Sequence, residues 1–93
     1  MKLYKPAIEK DRHGGTQKIY KFDNGFGASV IRTEYSYGSE DGLWELAVIR
    51  FLGDVEKFEI VYDTGITDDV IGDLTPGGVE QELEKIEKLK ANK

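Results

Sequence analysis

The chain has 93 residues, 39% hydrophobic and 33% charged, with a formal net charge of −5 and no cysteine. That length holds one domain with a modest core, and the balance of apolar and charged residues excludes wholesale disorder. Lack of cysteine excludes disulfide stapling, thiolate metal sites and cysteine nucleophiles, and fits a reducing cytoplasm. No stretch has the length and apolarity of a membrane span, and residues 1–6 lack the apolar run of a signal peptide, so a cytoplasmic protein is expected. The charge is segregated. Residues 1–22 carry six Lys and Arg against Glu9 and Asp11, whereas residues 54–87 carry eleven Asp and Glu against Lys57 and Lys85. An acidic chain is poorly suited to direct contact with the phosphate backbone of nucleic acid. It suits an acidic surface that meets a basic protein partner, or one that only keeps the chain soluble.

In chain order, residues 1–15 read as a loosely ordered arm, with Leu3, Tyr4, Ala7 and Ile8 able to dock and His13-Gly14-Gly15 as a turn. Residues 16–22 form a first strand around Ile19, Tyr20 and Phe22. Asp23-Asn24-Gly25 follows, and Asn-Gly predicts a type I′ hairpin. Residues 26–33 form a second strand, in which Gly27 marks a bulge or a close backbone approach. Residues 34–42 are a polar loop carrying Tyr35 and Tyr37. Residues 43–51, Leu-Trp-Glu-Leu-Ala-Val-Ile-Arg-Phe, have the near-continuous apolar character of a strand covered on both faces. Residues 56–62 alternate, with Phe58, Ile60 and Tyr62 on one face and Glu59 on the other, as in a half-buried strand. Thr67 caps a short helical turn that ends at Gly72. Thr75 then caps a helix with Pro76 at its first position. Val79, Leu83, Ile86 and Leu89 form its apolar stripe, and Glu84–Lys88 a favourable pair. The expected fold class is α+β: a four-stranded antiparallel meander, a short helical turn and a C-terminal amphipathic helix packed on one sheet face.

Three features bear on chemistry. Ile60-Val61-Tyr62-Asp63-Thr64-Gly65 resembles the Asp-Thr-Gly signature of retroviral-type aspartic proteases, in which two carboxylates share a proton at rigid loop tips. Those enzymes need a long β-rich segment after the motif to build a flap. Only 28 residues follow Gly65, most of them helical in pattern, so the motif reads as a turn. Asp63, Asp68, Asp69 and Asp73 are dense enough for a hard cation, but their spacing is not that of an EF-hand. Acidic residues in a first helical turn account for Asp68 and Asp69. The strand aromatics, Trp44 included, serve either as core or as stacking platforms for single strands, and the latter needs a basic groove, for which Lys18 and Lys21 are the candidates.

Tyr20-Lys21-Phe22-Asp23-Asn24-Gly25-Phe26-Gly27-Ala28-Ser29-Val30-Ile31, Gly42-Leu43-Trp44-Glu45-Leu46-Ala47-Val48 and Ile66-Thr67-Asp68-Asp69-Val70-Ile71-Gly72 together resemble a group of small proteins encoded in bacteriophage and prophage genomes. The resemblance covers residues 18–90 and implies a viral gene acting in a bacterial cytoplasm. It carries over no functional residue. The functional expectation is a non-catalytic protein, without metal or cofactor, that binds another protein through Tyr35, Tyr37, Asp68, Asp69, Asp73, Glu80, Glu84 and Glu87, for example as an inhibitor of a host DNA-binding or defence protein. No contact with nucleic acid or membrane is expected, and self-association is left open. The alternatives are a small metal-dependent or aspartate-based enzyme centred on Asp63, and an oligomer of phage structure or assembly.

Overall fold

A computed structural model describes residues 4–12, 14–33, 42–54, 57–62, 65 and 70–89. Among them six strands and one helix follow in the order β1 (Ile8–Arg12), β2 (Gly15–Lys21), β3 (Phe26–Arg32), β4 (Trp44–Asp54), β5 (Lys57–Ile60), β6 (Ile71–Leu74) and α1 (Pro76–Glu87). All strand pairs are antiparallel, in the order β1-β2-β3-β4-β5, with β6 also on β4. The class is the expected α+β, but the count of four strands is corrected at both ends. Ile8–Arg12, expected in a loose arm, pairs in full register with β2, from Ile8 opposite Ile19 to Arg12 opposite Gly15. Ile71–Leu74, expected at the end of a helical turn closed by Gly72, is a strand on β4.

β4 explains why the extra strand fits. It is eleven residues long, long enough for two short strands end to end on one edge. β5 takes the half from Ile49 to Asp54, and β6 the half from Trp44 to Leu46. Both joins contain an irregularity. Between Phe51 and Asp54, β4 carries two residues more than β5, Leu52 and Gly53, and Gly53 has φ 110°. Between Ile71 and Leu74, β6 carries one residue more than β4. Asp73 there has φ 56°, the one non-glycine residue with positive φ among the described residues. An extra residue in the left-handed region is the signature of a bulge.

α1 forms where its sequence predicts. Thr75 is the N-cap and its Oγ1 accepts from Gly78 N at 3.1 Å, with Pro76 next. Val79, Leu83 and Ile86 are buried on Tyr20, Ala28, Val30, Trp44, Leu46 and Val48, so the apolar stripe lies on one sheet face. Truncating a fully buried leucine such as Leu83 to Ala typically costs about 2–5 kcal/mol. Strand alternation places Ile19, Ala47 and Ile49 on the opposite face, also buried. A Cβ on Gly27 would meet the backbone oxygen of Tyr20 at 2.0 Å and Cε2 of the Phe51 ring at 2.6 Å. The close approach expected at Gly27 is thus what the fold uses.

The hairpin between β2 and β3 differs from the expected type I′. Gly25 N donates to Phe22 O at 3.2 Å and Phe22 N to Phe26 O at 2.9 Å, and Gly25, with φ 86°, takes the left-handed position while Asn24 does not. This is the three-residue loop that ends in a glycine bulge. It frees the Asn24 side chain for another task. Its Nδ2 donates to the carbonyls of Ile86 at 2.9 Å, Glu87 at 3.2 Å and Leu89 at 3.1 Å, and its Oδ1 accepts from Phe26 N at 3.0 Å. The last carbonyls of a helix have no partner within it, so one amide both fixes the turn and caps α1.

Asn24→Ala removes this donor from the carbonyls of Glu87 and Leu89, while Ile86 O keeps Leu89 N, and should cost about 1–3 kcal/mol in urea unfolding. Asn24→Asp keeps the acceptor for Phe26 but sets a carboxylate against the negative helix end, so it should cost at least as much at neutral pH. Losses below about 0.5 kcal/mol in both variants would contradict this role.

Candidate interaction surface

Of the eight residues expected to bind a partner, Tyr35, Tyr37, Asp68 and Asp69 lie outside the described residues, as do Asp63 and His13. The four that are described sit on β6 and α1. Asp73 is exposed at the bulge of β6. Glu80, Glu84 and Glu87 are on α1, and each has an intramolecular contact. Glu84 accepts from Lys88 Nζ at 3.0 Å, an exposed pair one turn apart. Glu80 accepts from Tyr4 N at 3.3 Å and Glu87 from the Tyr4 hydroxyl at 2.9 Å. The Tyr4 ring meets Phe22 edge to face at 5.4 Å. The N-terminal segment is therefore clamped onto α1 by two of the carboxylates expected to face a partner. The apolar residues Leu3, Tyr4, Ala7 and Ile8 hint at docking, but no local pattern marks contacts 76 and 83 residues away.

Tyr4 titrates accordingly. Its hydroxyl is raised to about 12, first by desolvation on burial and then by the hydrogen bond and charge of Glu87, with Glu84 and Glu80 adding. Tyr20 is raised by burial, with Glu80 and Glu9 contributing. At the far end of the sheet, Lys18 Nζ lies 4.8 Å from the Trp44 ring centroid and Arg32 Cζ 4.6 Å. Trp44 is itself buried. Two cations and the core enclose the ring, so it offers no open face for a stacked base.

The sequence pattern missed a patch on the other side. The alternation of residues 56–62 predicts a half-buried face, yet Ile60 is 43% and Tyr62 51% exposed, and Leu52, carried out by the β4 irregularity, is 56% exposed. Phe51 and Phe58, paired across β4 and β5, pack edge to face at 6.1 Å. Arg50 and Glu59 form an ion pair across β4 and β5. Val61 N donates to Val48 O at 2.9 Å, so residues 59 and 61 aim their backbone groups into β4 and residues 58 and 60 aim theirs outward.

Among the described residues no group of three His, Asp or Glu is placed to hold a metal ion, and no helix is long and apolar enough to cross a membrane. Comparison with protein-family models, with curated proteins and with solved structures gives no match to this chain.

Two outcomes are expected. The raised folded-state value of Tyr4 means its contribution to stability is complete below pH 10 and is lost as pH rises through about 12. In an ultraviolet phenolate titration, Tyr4→Phe should remove the highest-pH step; an unchanged profile would refute the clamp. Asp73→Val should cost about 1–2 kcal/mol, since a β-branched residue resists positive φ, while Asp73→Gly should be neutral or stabilising. Equal costs for both would argue against the bulge as the reason for Asp73.

Proposed function

We propose that this chain is a non-catalytic interaction protein of bacteriophage or prophage type, acting in the bacterial cytoplasm, that binds a basic protein surface through its acidic C-terminal half. The observation that supports the reading is the concentration of acidic residues in one stretch of the chain. Residues 54–87 carry eleven of the eighteen carboxylates. Seven of these, Asp54, Glu59, Asp73, Glu80, Glu82, Glu84 and Glu87, lie on described elements: β4, the strands β5 and β6 that pair with it, and α1, which packs on the sheet face over β3, β4 and β6. Carboxylates gathered on one side create a field that steers a cationic partner and sets its orientation more than its affinity. A host protein whose basic face normally meets DNA is the concrete partner class, and blocking that face is the corresponding activity.

Within this surface the roles divide. Glu80 and Glu87 hold Tyr4, so their charge is partly engaged by the chain itself. Asp73 and Glu84 are exposed, and Asp68 and Asp69 belong by sequence to the segment between β5 and β6. A second reading, an oligomer of phage assembly, is favoured by the exposed apolar residues on the β4–β5 unit.

The test is capture of partners from bacterial lysate with the wild-type chain and with an Asp68→Asn, Asp69→Asn, Asp73→Asn triple variant. A partner that the wild type holds at low salt, that high salt releases and that the triple variant loses at least tenfold supports the reading. Equal capture by both proteins, or no salt-sensitive partner, overturns it.

A further inference from the structure

The two margins of the sheet differ in their capacity to pair with themselves. A two-fold antiparallel pairing must set a residue opposite its own copy, because hydrogen-bonded positions face only hydrogen-bonded positions. On β1, a two-fold centred on Glu9, Lys10 or Asp11 sets like charges directly opposite one another. That is how an edge is protected against association. On β5 the registers centred on Lys57 and Glu59 have this defect, and those centred on Phe58 and Ile60 do not.

We propose that β5 is the contact of a symmetric homodimer, with a second copy of this chain paired antiparallel to it about a two-fold axis at Phe58. The backbone groups of Phe58 point away from β4, by alternation from the Val61 N to Val48 O bond, so the two copies exchange both hydrogen bonds of a Phe58–Phe58 pair. In this register Lys57 of each copy stands opposite Glu59 of the other, on the face that also carries Arg50. Each Glu59, already paired with Arg50, then lies between two cations, and the dimer gains two charge pairs by symmetry. On the opposite face Phe58 meets its copy, and Ile60, 43% exposed in the single chain, lies on the diagonal within reach of the partner ring. Charge complementarity and apolar contact thus coincide in one register. The paired strand is only four residues long, well short of the roughly 800 Å2 per partner of a durable interface, so the dimer is weak and concentration-dependent. The proposal shares β5 and Glu59 with the acidic stretch but uses neither Asp73 nor α1, so the Asp68, Asp69, Asp73 variant leaves it unchanged.

Sedimentation equilibrium of the whole chain from about 10 µM to about 1 mM tests it. Wild type should dimerise within this range. Lys57→Glu and Glu59→Lys, each of which sets like charges across the axis, should weaken the dimer at least about fivefold. The double swap Lys57→Glu/Glu59→Lys should restore it to within about threefold of wild type. A strict monomer across the range overturns the proposal. So does a dimer indifferent to the single charge changes, or one that the double swap leaves as weak as either single variant. Circular dichroism of each variant separates loss of pairing from loss of folding, and the rescue by the double swap is an outcome that misfolding does not produce.

Discussion

One carboxamide joins the two ends of this fold. The Asn24 amide spans from the β2–β3 turn to the last carbonyls of α1, while its oxygen holds the turn itself. A twelve-residue helix is marginal alone in water, and its stability comes from packing and from satisfied ends. Thr75 closes the first end from within the local sequence, but the second end has no glycine to close it. Beyond the local bonds from Lys88 N to Glu84 O and from Leu89 N to Ile86 O, its carbonyls are met from 62 to 65 residues away. That fixes the axial position of α1 over the sheet, so that Val79, Leu83 and Ile86 seat on Tyr20, Val30 and Leu46. It also sets Glu87 where the Tyr4 hydroxyl reaches it, and Phe22 where the Tyr4 ring packs. The N-terminal segment is tied to the same corner.

The opposite side of the molecule is governed by β4. Its length lets β5 and β6 share one edge, and each irregularity there has a surface consequence. Leu52 and Gly53 leave the ladder and expose an apolar side chain, while Asp73 adopts positive φ and presents a carboxylate. The stable corner at Asn24 and the irregular margin at β5 and β6 are therefore different in kind. One is built of satisfied, part-buried polar groups, and the other carries exposed apolar and acidic residues. Surfaces of the second kind are where binding concentrates.

The sequence made the helix legible to the residue at its start, because Thr75 and Pro76 act through local chemistry and the stripe has a clear period. β4 was legible for the same reason, as a continuous apolar run. β1 was not, because Glu9, Lys10 and Asp11 read as solvated arm, although an edge strand is where such residues are tolerated. β6 was hidden by Gly72 and by Asp73, whose left-handed backbone no strand propensity anticipates. The hairpin position was right and its type wrong, since Asn-Gly satisfies two turn geometries and the choice depended on a helix end far along the chain. Of the expected binding residues, Glu80 and Glu87 looked like an open polar face because the ring that covers them, Tyr4, is distant in sequence. Tyr35, Tyr37, Asp68 and Asp69 fall outside the described residues.

The hairpin turn and the end of α1 behave as one unit. Native-state amide exchange measures this most directly. In the wild type, Gly25 and Phe26 in the turn and Lys88 and Leu89 at the helix end should open with the same free energy and the same urea dependence. In Asn24→Ala the helix-end amides should exchange faster while those of β3 and β4 keep their protection relative to the global limit. Helix-end amides that already exchange independently of the turn in the wild type, or that are unchanged by the substitution, would contradict it.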